Sequence, residues 1–197
     1  MNKTLKYYNE NSQILCDKYN SVDISILHKN LLDFFRESKT LLEIGSGSGR
    51  DMSFMIKNGF DVYGIDGSQE MIKNAVCNYS NLNNRLFLSE LPKKLPSFDK
   101  KFDGLFSIAT LMHFKANELK IIFQKLNDLL KPDSKVFVSV SGHRETKDDS
   151  RFFLELSKSE WINIFKENNF NVIEIKENKD FSERNIDWYT FFLKTRN

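Results

Sequence analysis

Apolar residues recur along this chain in two patterns, short continuous runs and longer amphipathic segments. Residues 41–44, LLEI, form a mostly apolar run of strand length, and residues 60–65 alternate between apolar and polar positions. Between these segments, Met52, Met55 and Ile56 fall on one face of a helix. This stretch is therefore predicted to form a strand, a helix and a second strand, which is the repeating unit of a parallel sheet.

The same two patterns continue over the rest of the chain. Helical spacing covers residues 3–19, 23–37, 68–79, 117–130 and 157–165, and strand patterns fall at residues 85–88, 102–108, 135–140, 170–175 and 188–193. The last two strands have no helix between them, and consecutive strands joined without a crossover helix run antiparallel. The pattern predicts an α/β domain with a mostly parallel sheet and a reversed final strand.

Three glycines, Gly45, Gly47 and Gly49, follow the first strand at alternate positions. Glycine adopts left-handed backbone angles easily and lets another molecule approach the main chain closely. Asp66 ends the second strand, where an acid accepts hydrogen bonds from a ribose diol. The spacing G-x-G-x-G differs from that of dinucleotide sites, and no G-K-[ST] follows it. A nucleoside cofactor without a phosphate fits better, and S-adenosylmethionine is the common one.

Four segments resemble, in order and spacing, the motifs of class I S-adenosylmethionine-dependent methyltransferases of the small, type 11/12-like kind. They are residues 43–49 (EIGSGSG, motif I), residues 64–68 with Met71 (the ribose-binding segment), residues 102–108 with His113 (the fourth strand and its active-site turn) and residues 129–132 (the entry to the fifth strand). The resemblance covers most of the chain. It implies a three-layer Rossmann-like fold, with a seven-stranded, mostly parallel sheet, an antiparallel last strand and helices on both faces.

The resemblance also implies how the chain is organised and what it does. Residues 1–197 are expected to form one domain, in which residues 1–38 are N-terminal helices that form a lid and pack on the core. Residues 39–140 are the expected cofactor-binding core, and residues 141–197 the substrate-side loop, helix and terminal hairpin. The implied activity is that of a transferase of class EC 2.1.1.-, which uses S-adenosyl-L-methionine, releases S-adenosyl-L-homocysteine and needs no metal.

The family motifs can be carried over to individual positions of this chain as expected cofactor contacts. These positions are Tyr8, Glu43, Gly45, Ser46, Gly47, Gly49, Arg50, Asp66, Gly67, Ser68, Met71, Glu90, Leu91, Ile108 and Ala109. Ile108 and Ala109 end a strand near the expected order reversal of the sheet, where ligands of open α/β sheets bind.

The chain departs from the family pattern at the adenine end, because Leu91 stands where an acid usually meets the adenine amino group. Either Glu90 supplies this contact from a shifted loop, or the main chain around Leu91 does; otherwise Glu90 is a solvated charge. Tyr8 and Met71 have core packing as the alternative to cofactor contact. Arg50 pairs either with the cofactor carboxylate or with a carboxylate at the protein surface.

Methyl transfer is an in-line displacement, so the protein mainly aligns the reactants, and no covalent nucleophile is required. His113 is the best candidate for a general base, because the ordinary pKa of histidine suits proton transfer near neutrality. A purely structural role for His113 is the alternative. Arg144 and Arg151 are candidates for recognising an acidic substrate, since guanidinium groups suit carboxylates and phosphates, or else they are solvated charges.

The formal net charge of +2 implies no charge-driven affinity for nucleic acid or for a membrane. Cys16 and Cys77 have no metal-type spacing and indicate no disulfide framework, so we expect a reduced, cytoplasmic protein. We also expect a monomer or homodimer that acts on a small-molecule methyl acceptor. One alternative is a tRNA methyltransferase, because residues 106–109, 151–153 and 187–189 are faintly similar to wobble-uridine methyltransferases. Another is a protein that binds the cofactor without catalysis.

Overall fold

The computed structural model of the protein describes residues 2–144, 150–179 and 186–196. Its seven-stranded sheet has the order β3-β2-β1-β4-β5-β7-β6. The five neighbouring strands β3, β2, β1, β4 and β5 are parallel to one another, and β7 runs antiparallel to both β5 and β6. This confirms the predicted fold class and the reversed final strand. The strand order changes direction between β1 and β4, so the carboxyl ends of these strands border a crevice.

The bounds of the regular elements follow the sequence pattern closely. The helices are α1 Lys3–Glu10, α2 Ser12–Ser21, α3 Ser25–Phe35, α4 Arg50–Lys57, α5 Gln69–Asn78, α6 Ala116–Asn127 and α7 Lys158–Glu167. The strands are β1 Thr40–Ile44, β2 Asp61–Asp66, β3 Leu86–Leu88, β4 Phe102–Ile108, β5 Leu130–Arg144, β6 Phe170–Lys179 and β7 Ile186–Thr195.

Helices cover both faces of the sheet, because successive residues of its central strands point to opposite sides. In β4, Leu105 belongs to the core shared with Phe123 of α6 and Trp161 of α7. Its neighbour Phe106 belongs to the core on the other face, which includes Phe35 of α3. The three-layer arrangement follows from this alternation.

Two predicted helix boundaries were wrong, and β5 extends beyond the predicted residues 135–140 at both ends. The single helix expected over residues 3–19 is two helices, because Asn11 leaves the helical conformation, with φ of −114° and ψ of 14°, while its Nδ2 donates to the carbonyl of Tyr7. The helix expected to run to residue 130 ends at Asn127, and Leu130 already pairs with Phe102 in the sheet. At both helix ends, backbone groups that a longer helix would have paired internally form hydrogen bonds with other partners.

Asp103 ties together the amino ends of three strands, away from the crevice. Its carboxylate accepts hydrogen bonds from the backbone N of Lys39 at 2.9 Å, from the backbone N of Thr40 at 2.8 Å and from Lys131 Nζ at 2.6 Å. Partial burial opposes the charge, but these donors hold the pKa of Asp103 well below its usual range. The ionised carboxylate therefore stabilises the fold.

Replacing Asp103 by asparagine should lower the free energy of unfolding by about 2 kcal/mol at pH 7, since charged hydrogen bonds are lost. A depressed folded-state pKa gives stability that is present above the unfolded pKa and lost below it. The difference between Asp103→Asn and the parent should therefore shrink as the pH falls below 3.8, the usual pKa of an aspartate. Denaturant titrations at several pH values measure it, with Asp99→Asn in an exposed loop as the matched control. Equal losses in both variants would contradict the role of Asp103.

Candidate active site

A cavity of about 200 Å³ lies at the carboxyl edge of the sheet, beneath α1. Its wall combines the turn after β1, the end of β2 and the end of β4 with side chains of the N-terminal helices. This is the crevice at which ligands of open α/β sheets bind.

The three glycines after β1 all have left-handed backbone angles, with φ values of 74°, 52° and 77° for Gly45, Gly47 and Gly49. Their surroundings differ. A Cβ at Gly45 would lie 2.1 Å from Thr110 Oγ1, and one at Gly49 would lie 2.4 Å from Leu82 Cδ1. A Cβ at Gly47 would meet no atom closer than 3.8 Å. Gly45 and Gly49 therefore permit packing within the protein, whereas Gly47 presents bare backbone to the cavity.

Asp66 ends β2 on the cavity wall, and backbone amides hold its carboxylate in place. Gly47 N donates to Oδ2 and Ser68 N donates to Oδ1, each at 2.8 Å. Burial raises the pKa of Asp66, although these amides favour its charged form. A carboxylate has about four lone-pair positions, so each oxygen can accept one more hydrogen bond. That arrangement suits the two hydroxyls of a ribose.

Most of the predicted site residues line this cavity. They are Tyr8, Gly45, Ser46, Gly47, Arg50, Asp66, Gly67, Glu90, Leu91, Ile108 and Ala109, together with His113 and Arg151. Arg144 ends β5, and its side chain lies outside the described residues, so its substrate role stays a prediction.

Four predicted cofactor residues, Glu43, Gly49, Ser68 and Met71, stand behind the wall instead of on it. Gly49 faces Leu82, as described above. Ser68 is fully buried, where its side chain accepts from the backbone N of Met71 and donates to Asn9 Oδ1 at 2.8 Å. Met71 is fully buried in a cluster with Cys16. These four residues pack against other residues of the protein, so they support the cavity wall and do not line it.

Glu43 also lies behind the wall, one residue before the end of β1. It is 1% exposed, and its Oε2 has no hydrogen-bond partner among the described residues. Burial, together with the negative charge of Asp51, raises the pKa of Glu43 well above its usual value. Its side chain therefore does not reach the cavity directly.

Arg50 reaches the cavity from the first turn of α4 while it remains in a partly buried ion pair. Its Nε lies 3.0 Å from Asp51 Oδ1 and its Nη2 lies 3.2 Å from Asp51 Oδ2, while Nη1 donates to the carbonyl of Tyr19. Asp51 Oδ1 also lies 2.8 Å from His28 Nε2. Although burial raises the pKa of Asp51, its bonds to His28 and Arg50 hold that pKa below the usual value. The pair fixes the Arg50 guanidinium at the cavity edge.

At the far end of the cavity, beside β3, the wall is apolar where the family usually has an acid. Leu91 is 8% exposed and lines the cavity, and Glu90, which also lines it, pairs with Lys93 at 2.9 Å. Ser89, which the sequence did not single out, also lines the cavity, and its hydroxyl donates to the carbonyl of Lys94. The groups that face this end are therefore mainly apolar and backbone atoms.

Tyr8, His113 and Arg151 meet at the mouth of the cavity from three distant parts of the chain. Tyr8 Oη lies 3.0 Å from His113 Nε2, and His113 Nδ1 lies 2.7 Å from the carbonyl of Phe152. A carbonyl can only accept, so in neutral His113 the proton sits on Nδ1 and Nε2 accepts from Tyr8. Arg151 Nη1 donates to Tyr8 Oη at 3.3 Å. Burial raises the pKa of Tyr8, which keeps its hydroxyl protonated near neutrality.

The same cluster holds α1 over the cavity. Phe152 N donates to Thr4 Oγ1 at 2.9 Å, and the Arg151 guanidinium lies 4.9 Å from the ring centre of Tyr7 and 5.0 Å from that of Phe153. Cations stack favourably on aromatic faces. Thr4 and Phe153 were not predicted as site residues, because nothing in the local pattern links residues so far apart in the chain.

Among the described residues, no group of three or more histidine, cysteine, aspartate or glutamate side chains is arranged to hold a metal ion. Within the same ranges, no helix is long and apolar enough to span a membrane.

Known proteins resemble this chain in sequence and in fold. Residues 17–175 match a family model described as a methyltransferase domain. The Bacillus subtilis (strain 168) protein YqeM, a methyltransferase by name, is 27% identical over 99 residues, which cover 49% of this chain and 40% of YqeM. This chain therefore matches less than half of the length of that curated relative.

Two crystal structures illustrate the likeness of fold. A 1,6-didemethyltoxoflavin-N1-methyltransferase of Burkholderia thailandensis, with 1,6-didemethyltoxoflavin and S-adenosylhomocysteine bound, is 15% identical with a TM-score of 0.78, over 99% of this chain and 88% of that one. An S-adenosylmethionine-dependent methyltransferase of Clostridium acetobutylicum ATCC 824 is 14% identical with a TM-score of 0.73, over 96% of this chain and 99% of that one.

Proposed function

This chain belongs to the class I S-adenosylmethionine-dependent methyltransferase family, and we propose that it transfers a methyl group to an oxygen or nitrogen of a small-molecule acceptor. The observation that carries the proposal is the pairing of Gly47 with Asp66. Bare backbone at Gly47 and a carboxylate with free lone pairs lie side by side on one cavity wall. Such a wall suits a nucleoside that carries no phosphate.

The residues present fit the cofactor at three points. Asp66 would accept from the ribose, Leu91 and the nearby main chain would contact the base, and Arg50 would lie near the amino-acid end. The bound cofactor supplies an activated methyl: a lone pair of the acceptor bonds to the methyl carbon, the C–S electron pair stays on sulfur and the acceptor proton passes to a base. In this proposal residues 1–38 cover the cofactor, residues 39–140 hold it and residues 141–197 border the acceptor.

S-adenosylmethionine should raise the melting temperature of the protein. At a hundredfold excess over its dissociation constant, the ligand stabilises the native state by about 2.7 kcal/mol. For a chain of this size that corresponds to a shift of about 5–10 °C. Differential scanning fluorimetry measures it, with NAD and ATP as controls that should produce much smaller shifts. A larger shift with either control would contradict the proposed cofactor.

We propose that His113 is the general base, and that the proton of the acceptor reaches it through the hydroxyl of Tyr8. The orientation of His113 supports this route, because Nδ1 is held by the carbonyl of Phe152 and Nε2 is directed at Tyr8. Arg151 acts through Tyr8 as a positioning residue, because its Nη1 donates to Tyr8 Oη at 3.3 Å.

His113→Asn should lower kcat about 100-fold, which is the smaller end of the range for general acid–base catalysis. Asparagine keeps a donor for the carbonyl of Phe152 but has no group that takes a proton near neutrality. The dissociation constant of S-adenosylhomocysteine should not change. The acceptor for this assay is identified by incubating the protein with labelled cofactor and a metabolite extract. If kcat falls while its pH profile keeps the shape of the parent profile, the role of His113 is structural.

Binding to bulk tRNA separates the small-molecule proposal from the tRNA alternative. Electrostatic binding to nucleic acid weakens steeply with salt. Tight tRNA binding with such a salt dependence would favour the alternative, and no binding at low salt would count against it. Cofactor binding without methyl transfer to any component of the extract would instead favour a non-catalytic protein.

A further inference from the structure

A second cavity, of about 140 Å³, lies between the N-terminal helices and the sheet. Its wall is mainly apolar and comes from the α2–α3 region and from β4, β5, β6 and β7. The apolar lining side chains are Val22, Ile24, Ile26, Leu27, Ile108 and Trp188. An apolar cavity of about 150 Å³ is large enough for a benzene ring. The second cavity is thus of a size for one aromatic ring.

The two cavities share a border formed by Tyr19, Arg50, Ile108, Ala109 and Trp188. Ala109 has a left-handed backbone, with φ of 55°, although it is not a glycine. Its N donates to the carbonyl of Ser139 at 2.8 Å, which holds the chain in this conformation. Strained backbone of this kind is concentrated at functional sites. The border lies at the carboxyl end of β4, opposite the end of the first cavity that borders β3.

Two buried hydroxyls face the second cavity from neighbouring strands. Ser139 of β5 and Thr190 of β7 are direct cross-strand partners, and they are 4% and 3% exposed. Both line the cavity, and neither hydroxyl forms a hydrogen bond with another described residue. Buried polar side chains in folded proteins nearly always have a hydrogen-bond partner. This pair is therefore placed to bind a polar group of a ligand.

The cations near this cavity are already paired or exposed to solvent. Arg50 is paired with Asp51, and Lys18 is exposed on α2. Lys176 Nζ donates to Asn30 Oδ1 at 2.9 Å. A carboxylate placed against Ser139 and Thr190 would be buried without a matching charge, which is costly. A neutral ligand fits the floor better than an anion does.

We infer that the second cavity holds the methyl acceptor, and that the acceptor is a neutral, single-ring aromatic compound with one hydroxyl or amino group. The inference rests on the proposed function, because the second cavity lies beside the transferred methyl only if the first cavity binds the cofactor. The ring packs between Ile24, Leu27 and Trp188. Its polar substituent bonds to the two buried hydroxyls beside the border, where Ser139 pairs with Ile108, so that one lone pair of the substituent faces the first cavity.

Binding of 4-methylphenol to the whole protein tests this inference without any turnover. Ligand-observed NMR gives its dissociation constant, alongside those of 4-methylbenzoate and toluene. We expect 4-methylphenol to bind at least about tenfold more tightly than 4-methylbenzoate, because the anion is buried unpaired. Toluene should bind about fivefold more weakly than 4-methylphenol, because it leaves the buried hydroxyls unsatisfied. Equal or tighter binding of either comparison compound would overturn the assigned ligand class.

Three variants locate the site of binding. Ile26→Trp places a larger side chain at a position that is 61% exposed, so it should narrow the cavity without disturbing the core and weaken 4-methylphenol binding at least about tenfold. Ser139→Ala combined with Thr190→Val removes both hydroxyls and should weaken binding about fivefold. Thr195→Val, at the far end of β7, makes the same change at a buried hydroxyl outside the cavity and should leave binding unchanged.

The dissociation constant of S-adenosylhomocysteine, measured in the same samples, separates the two proposals. If S-adenosylhomocysteine binds the parent and every variant, but 4-methylphenol does not bind the parent or binds Ile26→Trp as tightly as the parent, the acceptor site is wrong and the proposed function stands. If S-adenosylhomocysteine does not bind the parent, the proposed function fails, and with it the assignment of the second cavity to a methyl acceptor.

Discussion

Asp66→Asn is expected to weaken the binding of S-adenosylmethionine at least about 100-fold, since two hydrogen bonds to a charged carboxylate are lost or inverted. Burial disfavours the charge of Asp66 in the free protein, so removing this charge is favourable. The gain offsets part of the stability that is lost with the hydrogen bonds from Gly47 and Ser68. The fold should therefore survive. Isothermal titration calorimetry measures the affinity, and circular dichroism checks the fold.

The control for Asp66→Asn is Asp61→Asn, the same change at the other end of the same strand. Asp61 pairs with Arg85 and Lys100 far from the cavity, so its replacement should leave cofactor affinity unchanged. The parent itself should bind the cofactor less tightly as the pH falls through the pKa of Asp66, which lies above its usual value of 3.8. Equal affinities in Asp66→Asn and the parent would show that the ribose contact is assigned wrongly.

Gly45→Ala is expected to lower the free energy of unfolding by about 3 kcal/mol or more, because it combines a left-handed alanine with a steric clash. The added Cβ would lie 2.1 Å from Thr110 Oγ1 at a φ of 74°. Gly47→Ala meets no close neighbour, so it should cost only about 1 kcal/mol of stability. It should still weaken S-adenosylhomocysteine binding about tenfold, since the cavity wall there is bare backbone.

Gly59→Ala isolates the backbone term in this comparison. Gly59 has a φ of 92°, and an added Cβ would meet no atom within 4 Å. Urea titrations of the three variants should therefore rank the loss of stability as largest for Gly45→Ala, with Gly47→Ala and Gly59→Ala similar to each other. If all three lose the same stability, the contact with Thr110 does not constrain the turn. If Gly47→Ala binds S-adenosylhomocysteine as tightly as Gly59→Ala does, Gly47 does not contact the ligand.

Features set by neighbouring residues could be predicted from the sequence. The side chain of Ser68, a residue type that favours helix N-termini, caps α5 by accepting from the backbone N of Met71. Ser157 and Glu160, three positions apart, form a capping box at the start of α7. Both signals involve atoms within one helical turn, so the rest of the fold hardly affects them.

Where the sequence misled, a partner from another part of the chain decided the outcome. Leu130 fits the apolar face of a helix by spacing, yet it pairs with Phe102 because the neighbouring strand is available. Met71 matches a family motif, and the second helix brings Cys16 against it, so its side chain is buried and its contact with a cofactor stays a prediction. Periodicity states that a residue is buried, and it does not state against what.

The sequence by itself determined the order of strands and helices, the glycine turn and the acid that ends β2, because these depend on local backbone preferences and on apolar spacing. Only the tertiary structure decided which glycine faces the cavity, how Tyr8 meets His113 and Arg151, and that Ser139 and Thr190 share a second cavity. Those contacts join residues that are far apart in the chain. They form because β7 lies beside β5 in the sheet and the N-terminal helices pack over the carboxyl edge of its strands. The residue pattern within one segment does not specify which other segments will lie against it.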